Sequence, residues 1–440
     1  MKIPEKAPDW RKVLQESLSP DLATRTIDVI KKANKEYFYW DDFKYQPMPE
    51  GISPETAWAI LKASRFFQKK NVPLSDSKGN LFGFWLPDSV QRELHFVDQK
   101  AGGSILVTDP SVHSEEKQRY MIRSLVEEAI SSSQIEGAVT TRVVAKDMLR
   151  TGRKPKDRSE QMIYNNYRSM QMLKNHLSEP LSVELIHSIH ASMTSDTLEE
   201  PSWAGRFRTA ADDEIHVFDS DGQILHIPPK AADIPASMES MCVYANSDGG
   251  DEFVHPIIKG ILIHFWLAYV HPFMDGNGRT ARALFYWYML KHDYWLFEYT
   301  SVSTAILSTR PQYYRAFLYS ETDDNDATYF IVYNLRAIHK ALESLNSYIE
   351  RKQKEKKHAY RFAAVYPSLN LRQRALLASA LEKPIEIYTI EAHANVHGVT
   401  YQTSRTDLLA LKDMGLLEMR KEGKKFVFAP AKDLARKLNE

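Results

Sequence analysis

The segment His271 to Arg282, HPFMDGNGRTAR, gathers several residues whose types and spacing could do chemistry together. Gly276, Asn277 and Gly278 stand just before a helical stretch. Backbone N–H groups there face outward at the positive end of a helix dipole, which is a seat for phosphate. Arg279 and Arg282, three residues apart, share one face of the first turn and offer further donors to phosphate oxygens. Asp275 supplies one carboxylate, which suits Mg2+ held jointly by protein and nucleotide phosphate rather than by a protein cage. His271 can act as a general base near neutral pH. An anion cradle, a metal carboxylate and a base within 12 residues fit attack of a hydroxyl on a nucleotide phosphate.

The elements that must hold this loop are largely helical. His255-Pro256 opens a helix that runs through the apolar GILIHFWLAYV to Val270, with Pro256 suited to the first helical position. The loop breaks it, and a new helix starts near Arg279 and runs to about Leu290. Upstream, Met121, Leu125, Val126, Ala129 and Ile130 recur at three- and four-residue steps, the mark of a stripe packed on a core, and Gly137 is a plausible stop. Helices are also expected over Ser159–Leu177, Val183–Met193, Arg310–Ser320 and Thr328–Ile349. Two short alternating runs around Asp219-Ser220-Asp221-Gly222 read as a β-hairpin.

HPFMDGNGRTAR matches the HPFx(D/E)GN(G/K)RxxR signature of the Fic family at every fixed position, so the chain resembles that family over roughly Ser114 to Tyr348. The resemblance implies a mainly α, helical Fic fold with a β-hairpin flap. It also implies transfer of AMP from ATP, with Mg2+, onto a hydroxyl of a protein target or of the chain itself: a protein adenylyltransferase. By analogy His271 deprotonates the Ser, Thr or Tyr hydroxyl and Asp275 holds Mg2+ against the α- and β-phosphates. Gly276 to Gly278 cradle the phosphates, Asn277 contacts the α-phosphate, and Arg279 and Arg282 hold the β/γ end, while Phe273 anchors the loop in the core. The hairpin, with Ile215, His216, Val217, Leu225, His226 and Ile227, resembles the flap that docks a target strand by strand pairing. Tyr313 and Tyr314 resemble the tyrosine pair near the adenine pocket. His264 is expected in the core.

Ser132 to Gly137 reads SSQIEG and matches the (S/T)xxxE(G/N) inhibitory motif of the family, placed N-terminal to the loop as in class II. Ser132 and Glu136 are four residues apart and share a helix face. Glu136 falls at a helix C-terminus, where a carboxylate loses roughly 0.3–1 kcal/mol against the dipole. A cation opposite makes sense of it, and the resemblance supplies Arg282. Pairing would deprive the γ-phosphate of its seat. The same carboxylate could instead orient water to remove AMP, which leaves a deAMPylase as the alternative.

The 440 residues suggest two to four domains. The expected division is an N-terminal extension at 1–112, the Fic core with inhibitory helix at 113–348, a charged helix or linker at 349–368, and a winged helix-turn-helix at 369–440. The last rests on three helices followed by a hairpin. Lys+Arg and Asp+Glu both number 57, so no whole-molecule field draws the chain to nucleic acid or membrane. The winged helix offers Gln402, Thr403, Ser404 and Arg405 to DNA, but Asp407 and Asp413 share that helix, and DNA is not the favoured partner. A regulator with an inert Fic domain is disfavoured because the base and metal carboxylate are both present. A homodimer is left open. Cys242, the single cysteine, excludes an internal disulfide. No segment has the length and apolarity of a membrane span, so the expectation is a cytoplasmic protein.

Overall fold

The computed structural model describes residues 3–17, 20–102, 114–212, 214–218, 221–247, 253–365, 368–382, 387–422 and 425–437. Two compact units emerge, Met1–Glu343 and Ser344–Glu440. The fold is predominantly helical, with three small sheets among the described residues.

In the first unit, α1 (Pro54–Phe66) starts with Ser53 accepting from the Thr56 N–H and Pro54 at the first position, a cap followed by a residue with no N–H to waste. A hairpin follows, Lys70–Ser75 (β1) antiparallel to Leu81–Phe84 (β2). Arg65 on α1 is fully buried, bonded to Asn34 Oδ1 (2.9 Å), the Phe38 and Ala33 carbonyls and the Tyr329 hydroxyl. Lys62, one turn earlier, pairs with Asp323 at 2.8 Å. Two buried cations facing buried acceptors knit the N-terminal segment to the Asp323–Tyr329 connection. Removing Lys62 would strand the buried Asp323 charge.

The site is carried by α2 (Ser114–Ile135), α3 (Arg158–Leu173), α4 (Val183–Thr194), α5 (Pro256–Val270), α6 (Asn277–Lys291), α7 (Val302–Ser308) and α8 (Arg310–Thr322). Helices α5 and α6 are buried on nearly every face. At roughly 1.5–3 kcal/mol per fully buried large apolar side chain, this antiparallel pair forms the spine against which the loop between them is fixed. Between α4 and α5 lie the strands β3 (Val217–Phe218) and β4 (Ile224–His226). The expected hairpin from Ile215 to Ile227 is therefore much shorter than its sequence suggested. Its register shifts between the pairs Val217–His226 and Phe218–Ile224, and Asp219 and Ser220 lie outside the described residues. Helix α9 (Thr328–Val365) begins in the first unit and ends in the second.

The second unit contains α10 (Leu371–Glu382), β5 (Tyr388–Thr389), α11 (Ile390–His397), α12 (Tyr401–Asp413), β6 (Leu417–Glu422) and β7 (Lys425–Pro430), with β7 central in a three-stranded antiparallel sheet. Leu377, Leu408, Leu411, Leu416 and Phe428 centre its core. Asp407 is 3% exposed and turned inward onto Arg372, Asn370 and His393. Of the two acids expected on α12, Asp407 is hidden and Asp413 is exposed.

Candidate active site

Helix α5 ends at His271, whose φ of 49° and ψ of 59° place a non-glycine residue in the left-handed region. That conformation costs about 1–2 kcal/mol and is held by the His271 N–H donating to the Leu267 carbonyl at 2.9 Å. It also points the imidazole Nδ1 at the Ala268 carbonyl, 3.2 Å away. A carbonyl only accepts, so Nδ1 carries the proton and Nε2 keeps its lone pair. Burial, followed by the neighbouring charge of His226, pushes the His271 pKa down to about 4. The ring is neutral at pH 7, as a base must be.

The loop after His271 is fixed from within. Phe273 is fully buried and stacks on His190 with ring centroids 3.7 Å apart. Asn277 is 2% exposed, and its amide clasps the loop: Oδ1 accepts from the Phe273 N–H (2.9 Å) and Nδ2 donates to the Phe273 carbonyl (2.7 Å). One bond at each end fixes the amide to the loop and leaves the second Nδ2–H free to donate. The Asn277 backbone N–H lies at the start of α6. Gly276 has φ 83°, and a Cβ there would lie 2.6 Å from Thr194 Cγ2, so glycine is required on two counts.

His190 and Arg208 were not found by sequence reasoning. His190 Nδ1 accepts from the Gly205 N–H (3.0 Å), which leaves Nε2–H to donate to the Asp275 carbonyl (2.8 Å). Burial lowers its pKa to about 4 and keeps it neutral. Arg208 donates to the carbonyls of His271 (3.0 Å) and Pro229, tying the start of the loop to the chain leaving the hairpin. A histidine four residues before the end of a helix and an arginine in GRFRTA carry no periodic signal, so only the fold reveals them.

Of the two loop arginines, Arg282 lies beneath the cradle. It is 2% exposed, donates to Ser132 Oγ (2.9 Å) and the Ser132 carbonyl (2.8 Å), and forms an ion pair with Glu136 at 2.9 Å. Glu136 sits directly over Gly278, so closely that any side chain there would strike its carboxylate. The carboxylate thus occupies the N-terminus of α6, where a phosphate would sit. Arg279 is fully buried, with Nη1 on the Met193 carbonyl and Nη2 3.6 Å from Asp275. Its Nε and Nη2 have no hydrogen-bond acceptor among the described residues, whereas Arg282 Nη1 is taken by Glu136. Buried guanidinium donors left over beside a helix N-terminus suit additional anionic oxygens.

Asp275 Oδ1 accepts from the Gly276 N–H (2.5 Å) and Oδ2 pairs with Arg158 (3.0 Å). No group of three or more His, Cys, Asp or Glu able to hold a metal exists among the described residues. The donor set is one carboxylate, which fits Mg2+ only when phosphate oxygens complete its shell.

Tyr313 and Tyr314 differ in burial. Tyr313 is 3% exposed, and its hydroxyl meets the buried His264 Nε2 at 2.8 Å and also bonds Arg282, so it backs the cradle from the core side. Tyr314 is half-buried, and burial and then the Glu136 charge raise its pKa, which places it on the site side. In the hairpin, Ile215, His216, Val217 and Leu225 are partly buried and Ile227 is exposed. His226 does not face outward to a docking strand. Its Nδ1 meets Glu321 and its Nε2 the Tyr269 carbonyl, both at 2.7 Å.

A left-handed histidine, a clasped glycine loop and a helix N-terminus backed by buried arginines form an anion-binding constellation on a helical scaffold. Residues 180–289 match the model of the Fic/DOC family. The protein adenylyltransferase Fic of Nematostella vectensis is 37% identical over 107 residues, 24% of this chain and 22% of that one. The protein of the same name from Drosophila melanogaster is 36% identical over 69 residues, 16% of this chain and 14% of that one. The match thus spans less than a quarter of these relatives. A Fic family protein from Desulfovibrio desulfuricans G20 shares the fold, with a TM-score of 0.50 at 17% identity over 82% of this chain and 99% of that chain. No helix among the described residues is long and apolar enough to cross a membrane.

Proposed function

We propose that the chain is a protein adenylyltransferase that transfers AMP from ATP to a protein hydroxyl and is restrained by Glu136. The observation that carries the reading is the single constellation of His271 Nε2, the α6 N-terminus and Arg282, with Glu136 seated in the anion cradle. His271 Nε2 takes the proton of the attacking hydroxyl while Nδ1–H stays on Ala268, so the ring keeps its orientation as it becomes charged. The N–H groups at the start of α6 meet the phosphates, and Arg282 meets the γ end once Glu136 leaves. Mg2+, held by Asp275 and the phosphates, would neutralise charge on the phosphate chain. Targets, including the chain itself, enter beside the hairpin, where Phe218, Ile224 and Ile227 are exposed.

Mass spectrometry of the wild type, Glu136→Gly and His271→Ala after incubation with each NTP and Mg2+ tests this. An AMP adduct that grows in Glu136→Gly and needs His271 is expected. Absence of any adduct overturns the transferase. One observation favours a second reading: the Glu136 side chain is 28% exposed at the phosphate seat, so it can orient a water toward a bound AMP ester. Release of AMP from pre-modified protein, lost on Glu136→Gly, would identify that eraser. The second unit is read as a winged helix serving protein docking or dimerisation. Among the described residues its exposed apolar groups include Val396, Tyr401 and Phe426.

A further inference from the structure

We propose that Arg158 is a placeholder for the divalent cation at Asp275, released when metal and nucleotide arrive together. The inference rests on the reading of Asp275 as the metal carboxylate. Both oxygens of Asp275 are committed, Oδ1 to the Gly276 N–H and Oδ2 to Arg158 Nη2 at 3.0 Å. A cation cannot take Oδ2 without moving the Arg158 guanidinium. That group is built to move. Its side chain is 59% exposed, and its Nε is anchored separately to the Thr197 carbonyl at 2.9 Å. Arg158 also lines a cleft of about 490 Å3 that contains the carboxylates of Asp196 and Glu199. A guanidinium displaced from Asp275 has new acids within the same cleft to receive it.

Arg279 does not share this role. It is fully buried, sits 3.6 Å from Asp275 and is pinned to the Met193 carbonyl, so it stays when the exposed arginine leaves. The resting site is thereby closed at two points: Glu136 fills the seat of the terminal phosphate, and Arg158 fills the seat of the metal. The two contacts come from different helices and can be released independently.

The test measures binding, not transfer. A fluorescent ADP analogue is titrated into the full-length chain across a range of Mg2+ concentrations, for wild type, Arg158→Gln and Asp275→Asn. Removing one exposed competing ion pair should lower the Mg2+ midpoint roughly two- to fivefold in Arg158→Gln. ADP affinity without Mg2+ should stay within twofold. An unchanged or raised midpoint overturns the placeholder, and so does loss of metal-free ADP affinity, which would make Arg158 a phosphate ligand. Asp275→Asn should lose the Mg2+ dependence. If it keeps that dependence, Asp275 is not the metal carboxylate, and the proposal falls for that separate reason.

Discussion

The Glu136 carboxylate stands 2.9 Å from Arg282 and directly over Gly278, so one side chain blocks both the guanidinium and the helix N-terminus. Glu136 is the residue after the end of α2, where its negative charge is disfavoured by its own helix dipole. Arg282 and the α6 N-terminus compensate for that placement.

Nucleotide affinity should therefore depend on phosphate number in a way that Glu136 controls. Charge-assisted hydrogen bonds contribute about 1.5–3 kcal/mol. Glu136→Gln should tighten ATP roughly tenfold or more, while AMP affinity stays within twofold. Calorimetry of both nucleotides checks this. Equal changes for ATP and AMP would mean that Glu136 does not compete for the terminal phosphate.

On the proposed transferase reading, the His271 pKa, lowered to about 4 by burial, should set the acid limb of transfer. Above about pH 5 the ring is neutral, so the rate of the Glu136→Gly enzyme should show no titration near the ordinary histidine value of about 6.5. It should fall only as pH drops toward 4. His271→Ala should remove transfer while retaining ATP binding. An acid limb centred at 6.5 would contradict the burial of this ring.

The loop was legible because its chemistry is local: cradle, carboxylate and base lie in one run of 12 residues. The Ser132–Glu136 motif was legible for the same reason, since four-residue spacing fixes a common face. What escaped is what the fold brings together from a distance. His190 and Arg208 act through main-chain carbonyls, which place no demand on sequence pattern. Arg158 and Asp275 are 117 positions apart. The helix Ile234–Asn246 was missed because Pro235 near its start and its many small residues blur the apolar period. Tyr313 and Tyr314 are adjacent in sequence, yet Tyr313 is buried against His264 and Arg282 while Tyr314 is partly exposed.

His226 ties the hairpin to the scaffold in a pH-dependent way. Both its ring nitrogens face acceptors, so the bound form donates twice and is the imidazolium. Burial opposes that charge, but Glu321 outweighs it and the pKa is raised. A raised folded pKa means the stabilisation is complete below about 6.5 and is lost as pH rises through the folded value. Hydrogen exchange of residues 224–227, corrected for intrinsic rates, should accelerate at alkaline pH in the wild type. In His226→Gln it should be fast throughout. A pH-independent wild type would sink the imidazolium assignment.

Glu128 should govern how firmly the brake is applied. It lies eight residues before Glu136 on α2, is 2% exposed, and accepts from the Tyr286 hydroxyl (2.7 Å), Ser301 Oγ (2.9 Å), the Ser303 N–H (3.0 Å) and Ser303 Oγ. Tyr286 is one turn beyond Arg282 on α6, so this carboxylate fastens α2, which leads into Glu136, to the helix that carries Arg282. Glu128→Ala strands several buried donors at about 1–3 kcal/mol each. The Tm should drop by roughly 5–10 °C, and Glu128→Gln should lose less. With α2 loosened, Glu136 is held less tightly in the cradle and auto-modification should rise. In a Glu136→Gly background the same substitution should lower Tm without raising the rate, since the carboxylate it positions is gone. If Glu128→Ala lowers Tm and leaves the basal rate unchanged, the network holds the fold together but does not set the brake.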